Sequence, residues 1–274
     1  QPLDRGFDEF FGFLGGGKNY FERIYENSFH RRLHTNNPVK NEYQDPLQRN
    51  RNYVAKDEFG EDEYLTDVLT NDAVKYIQKS KNDQNPFFMY VAYNAPHTPL
   101  QTPAHEIEQF KKDNPRFEKL IRNSNYITKS APLRKAKGAE AKQKMIDKFV
   151  NARITYATMV TNMDTNIGKI VSELKKDKEV YNNTVIIFLS DNGGYTYSKG
   201  AVNHPLFAIK GSVFDGGHKV PMFVHWPNKI KKTQKYKYKV SALDIYPTLV
   251  DLAGGKTPEN KILDGVNFMD KIIA

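Results

Sequence analysis

Three short, almost unbroken apolar runs constrain this chain more than any other feature: FFMYVAY at 87–93, TVIIFLS at 184–190 and VPMFVHW at 220–226. A strand with one wet face alternates apolar and polar residues. Continuous runs of this length therefore predict strands covered on both faces, as in a largely parallel sheet. Segments with a helical period lie around them. Over 148–175, Val150, Ile154, Ala157, Val160, Met163, Ile167, Val171 and Leu174 recur every three or four residues and form one apolar stripe. A second helix is expected over 64–79, with Leu65, Val68, Leu69, Tyr76 and Ile77. A third follows Ser241, runs through Leu249 and Leu252, and leaves at Gly254 and Gly255. Strands alternating with helices predict an α/β layered fold.

The 274 residues suffice for one large domain or two small ones with a sizeable core. No run approaches the ~18 apolar residues of a membrane span, so none is expected. The chain opens without Met at QPLDRGFDEF, which has neither the basic start nor the apolar stretch of a signal peptide. A mature or clipped product is expected. The absence of cysteine excludes disulfides, thiolate metal sites and cysteine nucleophiles, so any metal must be held by oxygen or imidazole. The net charge of +9 favours anionic partners. Lys and Arg are dense over 111–148, which includes RKAKGAEAKQK, and the plain reading is a solvated surface. Two stretches, 20–63 and 114–138, lack periodicity and are expected to be irregular insertions, either functional or simply surface.

Polar loops adjoin the apolar runs. After the second come Asp191 and Asn192, with Gly193 and Gly194 behind them. Neighbouring side chains on a strand point to opposite faces, so both can ligate one ion only where the chain leaves the strand, a turn the glycines permit. A carboxylate plus an amide carbonyl suits Ca²⁺ or Mg²⁺ better than zinc or copper. Calcium takes about six to eight oxygens, so two ligands are too few, and alone the tetrapeptide reads as an ordinary turn. After the first run, NAPHTP brackets His97 with Pro96 and Pro99. That imidazole can donate a proton, bind an anion or simply bond nearby backbone. Before the third run, NHPLFAIKGSVFDGGHKVP places Lys210 beside Gly211, where a point charge can meet a sulfate or phosphate oxygen.

Taken in order, these segments resemble the sulfatase family of the alkaline phosphatase superfamily. RGFDEFFGFLGG resembles a segment that follows the family's first catalytic lysine and histidine motif. FFMYVAYNAPHTPL resembles the strand and loop of the substrate histidine, and YATMVTNMDTNIGKIVSEL the helix before the metal-binding strand end IIFLSDNGG. KGSVFDGGHKVP resembles the Lys-Gly-x-x-x-Glu-Gly-Gly-x-Arg-x-Pro element, with Asp215 for Glu and Lys219 for Arg, and SALDIYPTLVDLAGG the helix after the last core strand. The resemblance implies an α/β/α sandwich around a central, largely parallel mixed sheet, here a partial catalytic domain over 1–274 lacking the C-terminal subdomain. It implies Asp191 and Asn192 as metal ligands, for Ca²⁺ before Mg²⁺, and Lys210 as a catalytic group on a sulfate oxygen. His97 is implied as a sulfate ligand and proton donor, with His204 a further pocket candidate.

The family nucleophile is a formylglycine made in a Cys/Ser-x-Pro-Ser-Arg motif, which this sequence does not contain, so the chain alone is expected to be inactive. SAPLR at 130–134 fits a loose version but stands in the wrong order, and Ser130 is read as an ordinary helix start. The implied function is calcium-assisted hydrolysis of sulfate esters. The implied substrate is a sulfated small molecule or glycan, with no nucleic acid partner and a periplasmic or secreted location. A phosphate or phosphonate ester hydrolase of the same superfamily, or a non-catalytic polyanion-binding protein, are the alternatives.

Overall fold

The computed structural model describes residues 1–21, 46–54, 59, 62–81, 83 and 85–273. Most of 20–63 therefore lies outside the described residues. The chain divides into two units, one of Gln1–Lys176 and Ser190–Val220, the other of Asp177–Leu189 and Pro221–Ala274.

The first unit is built on two helices, α1 (Leu65–Ser80) and the 37-residue α3 (Ala139–Lys175), with α2 (Ala104–Asp113) between them in sequence. Leu65 and Val68 of α1 join Met159 of α3, Tyr20, Tyr64 and Ala95 in one buried cluster. A small antiparallel ladder of β1 (Phe11–Gly12), β2 (Gln48–Arg49) and β3 (Asn52–Tyr53) belongs to the same unit.

Helix α3 begins nine residues earlier than the stripe predicts. The added segment AEAKQKMID is made largely of strong helix formers, and Met145 and Ile146 pack against a second cluster of Ile127, Phe149, Val150 and Ile154. The 114–138 stretch, with Ile107 and Phe110 of α2, supplies the rest of that cluster. It carries three short helices, Phe117–Arg122, Asn125–Thr128 and Ala131–Lys135, whose Phe117, Ile121 and Leu133 cover the first half of α3.

The buried face of α3 is also more polar than the stripe, because Asn162, Asn166 and Glu173 lie on it. Asn166 donates to Asp67 of α1 at 2.8 Å and Asn162 to Glu106 of α2 at 2.8 Å, which ties the three helices in register. Lys176 donates to Glu173 at 2.6 Å and Lys81 at 3.0 Å. The two ammonium groups, Lys176 first, hold the carboxyl from its usual 4.5 down to about 2. Stability from this cluster is thus complete above about pH 4.5 and lost as pH falls towards about 2. Thermal midpoints measured across that window should fall more steeply for the natural protein than for Glu173→Gln. Parallel curves would show that the cluster contributes nothing.

In the second unit, β4 (Ile186–Leu189) pairs with β5 (Met222–His225) in an antiparallel ladder, Ile186 opposite His225 and Leu189 opposite Met222. A mixed sheet accommodates such an antiparallel pair, whose direction the apolar runs alone do not record. The 87–93 run joins no ladder among the described residues, and its side chains alternate, with Phe88 56% and Tyr90 70% exposed. Side chains of an extended segment alternate faces whatever their chemistry, so an unbroken apolar run looks the same whether one face is covered or both. Ser241 caps the last predicted helix with a capping box to Asp244. After α4 (Ile245–Leu252), the chain exits at Gly254 with φ 69°.

Candidate active site

All five candidate residues belong to the first unit. The His97 loop is fastened by its backbone to the aromatic cluster beneath it. Buried Tyr20 donates its hydroxyl to the His97 carbonyl at 3.0 Å and its amide to Gln101 Oε1 at 2.9 Å. Tyr64 donates to the Gln101 carbonyl at 2.9 Å, and the His97 amide closes a turn on Asn94 at 2.7 Å.

The imidazole then meets Lys210, 113 residues away, with Lys210 Nζ 3.1 Å from His97 Nε2. Nδ1 lies 2.7 Å from the Thr98 carbonyl. A carbonyl only accepts, so Nδ1 carries a proton, and Nε2 offers its lone pair to the Lys210 ammonium. The ring is oriented from one side by Thr98 and faces the Lys210 ammonium on the other.

Lys210 is positioned by a knot of loops in which glycine has a particular task. The Gly193 amide donates to the Gly217 carbonyl at 2.9 Å, and the Lys210 amide to the Gly194 carbonyl at 3.2 Å. A Cβ on Gly193 would stand 1.8 Å from the Gly216 carbonyl oxygen, and one on Gly216 would stand 2.4 Å from the Ala208 oxygen. Neither Gly193 nor Gly194 adopts a positive φ. Gly193, Gly216 and Gly217 are required because backbone passes against backbone, and Gly194 because the Ala201 and Asn203 side chains lie against it, in place of the turn flexibility read from the sequence.

Asn203 holds the same knot and was not singled out by sequence reasoning. Its Oδ1 accepts from the Gly194 amide at 3.0 Å, while its Nδ2 donates to the Gly194 carbonyl at 2.9 Å and the Ala208 carbonyl at 3.0 Å. An Asn in a Pro-rich loop reads as a turn former, and nothing local signals the contact with Gly194. The neighbouring 195–200 loop is moored to α3, where Arg153 bonds the Gly200 carbonyl and Lys199 lies 5.2 Å over Phe149.

Asp191 is exposed and accepts the Asn192 amide on Oδ1 at 2.8 Å. The Asn192 side chain donates to the Gly193 carbonyl at 3.2 Å. Asp191 Oδ2 and Asn192 Oδ1 accept no hydrogen bond among the described residues. Two adjacent hard oxygens of this kind suit Ca²⁺ or Mg²⁺, but no group of three or more acidic, His or Cys side chains gathers to complete a metal shell among the described residues. His204 is exposed, and no hydrogen bond or ion pair joins it to the other four there. Asp215 and Lys219, where the family pattern has Glu and Arg, keep an acid–base pair at 2.7 Å. Ser130 precedes the helix Ala131–Lys135, with its carbonyl accepting from Arg134 at 3.1 Å.

A family model described as Sulfatase matches residues 2–255. The chain belongs to the sulfatase family. This sulfatase chain is 29% identical over 98% of its length to the uncharacterized sulfatase YdeN of Escherichia coli, and 31% identical over 99% to arylsulfatase J of Mus musculus. It spans 37% of each of those relatives. Among solved structures it is similar to Ps i-CgsB in complex with k-i-k-neocarrahexaose, with a TM-score of 0.78 and 39% identity over 100% of this chain and 51% of that one. Its fold is the α/β, alkaline phosphatase-like fold of the sulfatases. No described helix is long and apolar enough to cross a membrane.

Proposed function

We propose that this chain carries part of the active site of a sulfuric ester hydrolase that removes sulfate from a sulfated carbohydrate. The observation that carries the reading is the contact of Lys210 with His97 at 3.1 Å, made by two loops that match family motifs far apart in sequence. A sulfate monoester entering here meets an ammonium point charge and an imidazole whose Nε2 faces the same place. Lys210 turns from Nε2 to a sulfate oxygen and stabilises charge that grows during transfer. When the bond from sulfur to the bridging oxygen breaks, its electron pair goes to the departing alcohol, which needs a proton. Nδ1 is committed to Thr98, so the proton is delivered from Nε2, which takes it up from water to form the imidazolium once Lys210 has turned to the sulfate, and the ring is left neutral.

Asp191 and Asn192 would hold a divalent cation, Ca²⁺ in preference to Mg²⁺, together with ligands from outside the described residues. When bound, the ion supplies positive charge to sulfate oxygens. The resemblance assigns the nucleophile, a formylglycine, to a motif this sequence does not contain, so the chain by itself is proposed to be inactive. The net charge of +9 suits a polyanionic glycan, and the relative solved with a neocarrahexaose supports a carbohydrate substrate. A periplasmic or secreted location is the corresponding proposal.

The test uses the whole enzyme that contains this chain. His97→Ala should lower kcat for a sugar sulfate by about 10²–10⁴-fold and for 4-nitrophenyl sulfate by much less, because nitrophenolate departs without a proton. Equal losses on both substrates would remove His97 as the proton donor. Absence of sulfate release by the unmutated enzyme, or faster cleavage of phosphate esters, would overturn the sulfatase reading itself.

A further inference from the structure

We infer that 229–239 in the second unit, KIKKTQKYKYK, is a binding strip for a sulfated polysaccharide. The inference rests on the proposed carbohydrate substrate but on different residues. Lys229, Lys231, Lys232, Lys235, Lys237 and Lys239 are all exposed, and no acidic residue occurs from 216 to 243. None of the six is ion-paired among the described residues, and the hydrogen bond there is from Lys231 to the Pro227 carbonyl at 2.8 Å.

Such a block of like charge repels itself, and a surface without a use for it intersperses the two signs. A polyanion relieves the repulsion and releases its own counterions on binding. The strip is also held in place. Gln234 donates to the Ile272 carbonyl at 2.7 Å, the Lys229 and Ile230 amides close on the Trp226 carbonyl at 3.0 and 2.8 Å, and the capped turn at Ser241 follows directly.

Over 235–239 lysine and tyrosine alternate outside any helix or ladder. The chain bends at Tyr238, so Lys235, Lys237 and Lys239 are three exposed point charges two residues apart in sequence around that bend. Tyr236 and Tyr238 fall between them with ring centroids 5.4 Å apart, and Tyr238 is 76% exposed, leaving a ring face on which a sugar's C–H face can lie. The strip contains no arginine, so it lacks the fork that reads phosphates and base edges in two-point contacts. Ammonium charges and phenol rings without guanidinium favour a sulfated glycan over a nucleic acid.

The experiment compares the chain with its Lys235→Gln/Lys237→Gln/Lys239→Gln variant, after circular dichroism has shown both folded. The probes are a sulfated galactan, the same galactan desulfated, and oligo(dT). The natural chain should bind the sulfated polymer with strong salt dependence and the desulfated polymer hardly at all. The variant should bind about tenfold more weakly near 0.15 M salt, with a log–log salt slope shallower by about two. Unchanged affinity in the variant, equal binding of the desulfated polymer, or oligo(dT) bound as tightly as the galactan would each overturn the inference. Failure of the hydrolase reading is seen separately, as no sulfate release by the unmutated whole enzyme.

Discussion

Replacing Lys210 by Ala in the whole enzyme is expected to lower sulfate release from an aryl sulfate by about 10²–10³-fold, chiefly in kcat. The side chain reaches within 3.1 Å of His97 Nε2, so in the proposed mechanism its charge acts on the sulfate beside the leaving oxygen. An interaction that strengthens as negative charge develops lowers kcat when removed, whereas one felt equally by bound substrate raises KM. Lys210→Arg should recover little of the loss, because a planar guanidinium cannot place one compact charge where the ammonium sits. The residue is held by its amide to Gly194, so neither change should disturb the fold, and thermal midpoints provide that control. A kcat for Lys210→Ala within about threefold of the natural enzyme would remove Lys210 from the chemistry.

Among the described glycines of the first unit, Gly193 should be the one where an added methyl does most damage, with Gly193→Ala costing about 3 kcal/mol. The new Cβ would lie 1.8 Å from the Gly216 carbonyl oxygen, 2.7 Å from its carbonyl carbon and 3.1 Å from Gly217 Cα. All three are backbone atoms, so relief requires separating two loops that Asn203, the Lys210 amide and the Gly193 amide hold together. For a unit of this size the cost corresponds to a thermal midpoint lower by roughly 6–12 °C. Gly168→Ala, in α3, is the matching control: its Cβ meets nothing within 4 Å, and a helical alanine should stabilise by about 0.5–1 kcal/mol. If the two variants melt alike, the close contact of the glycine loops is not a constraint on folding.

Much of the scaffold was legible in the chain. Apolar spacing located α1 to within a residue, and Ser241 and Gly254 announced both ends of the last predicted helix, because caps and periodicity are local. The start of α3 was missed by nine residues because lysine and glutamate there hide the helical period, which only Met145 and Ile146 carry. The direction of the β4–β5 pairing was not legible, since an apolar run records how much a strand can bury and nothing about its neighbour. For the site, residue types and motif order identified His97, Lys210, Asp191 and Asn192 as candidates. Asn203 escaped, because its three bonds reach Gly194 and Ala208 without any local pattern.

The sequence by itself determined the chemistry on offer: oxygen and imidazole without thiolate, a cationic surface, and the ordered motifs that place the chain among sulfatases. Tertiary structure alone decided which of those groups meet. It brought Lys210 to His97 across 113 residues, assigned the ring proton to Nδ1 through Thr98, and gave Gly193, Gly216 and Gly217 their purpose as points where two backbones touch. Periodicity and capping act within one element and can be read along the chain, whereas contacts between loops depend on how α1, α3 and the Asn203 knot pack together.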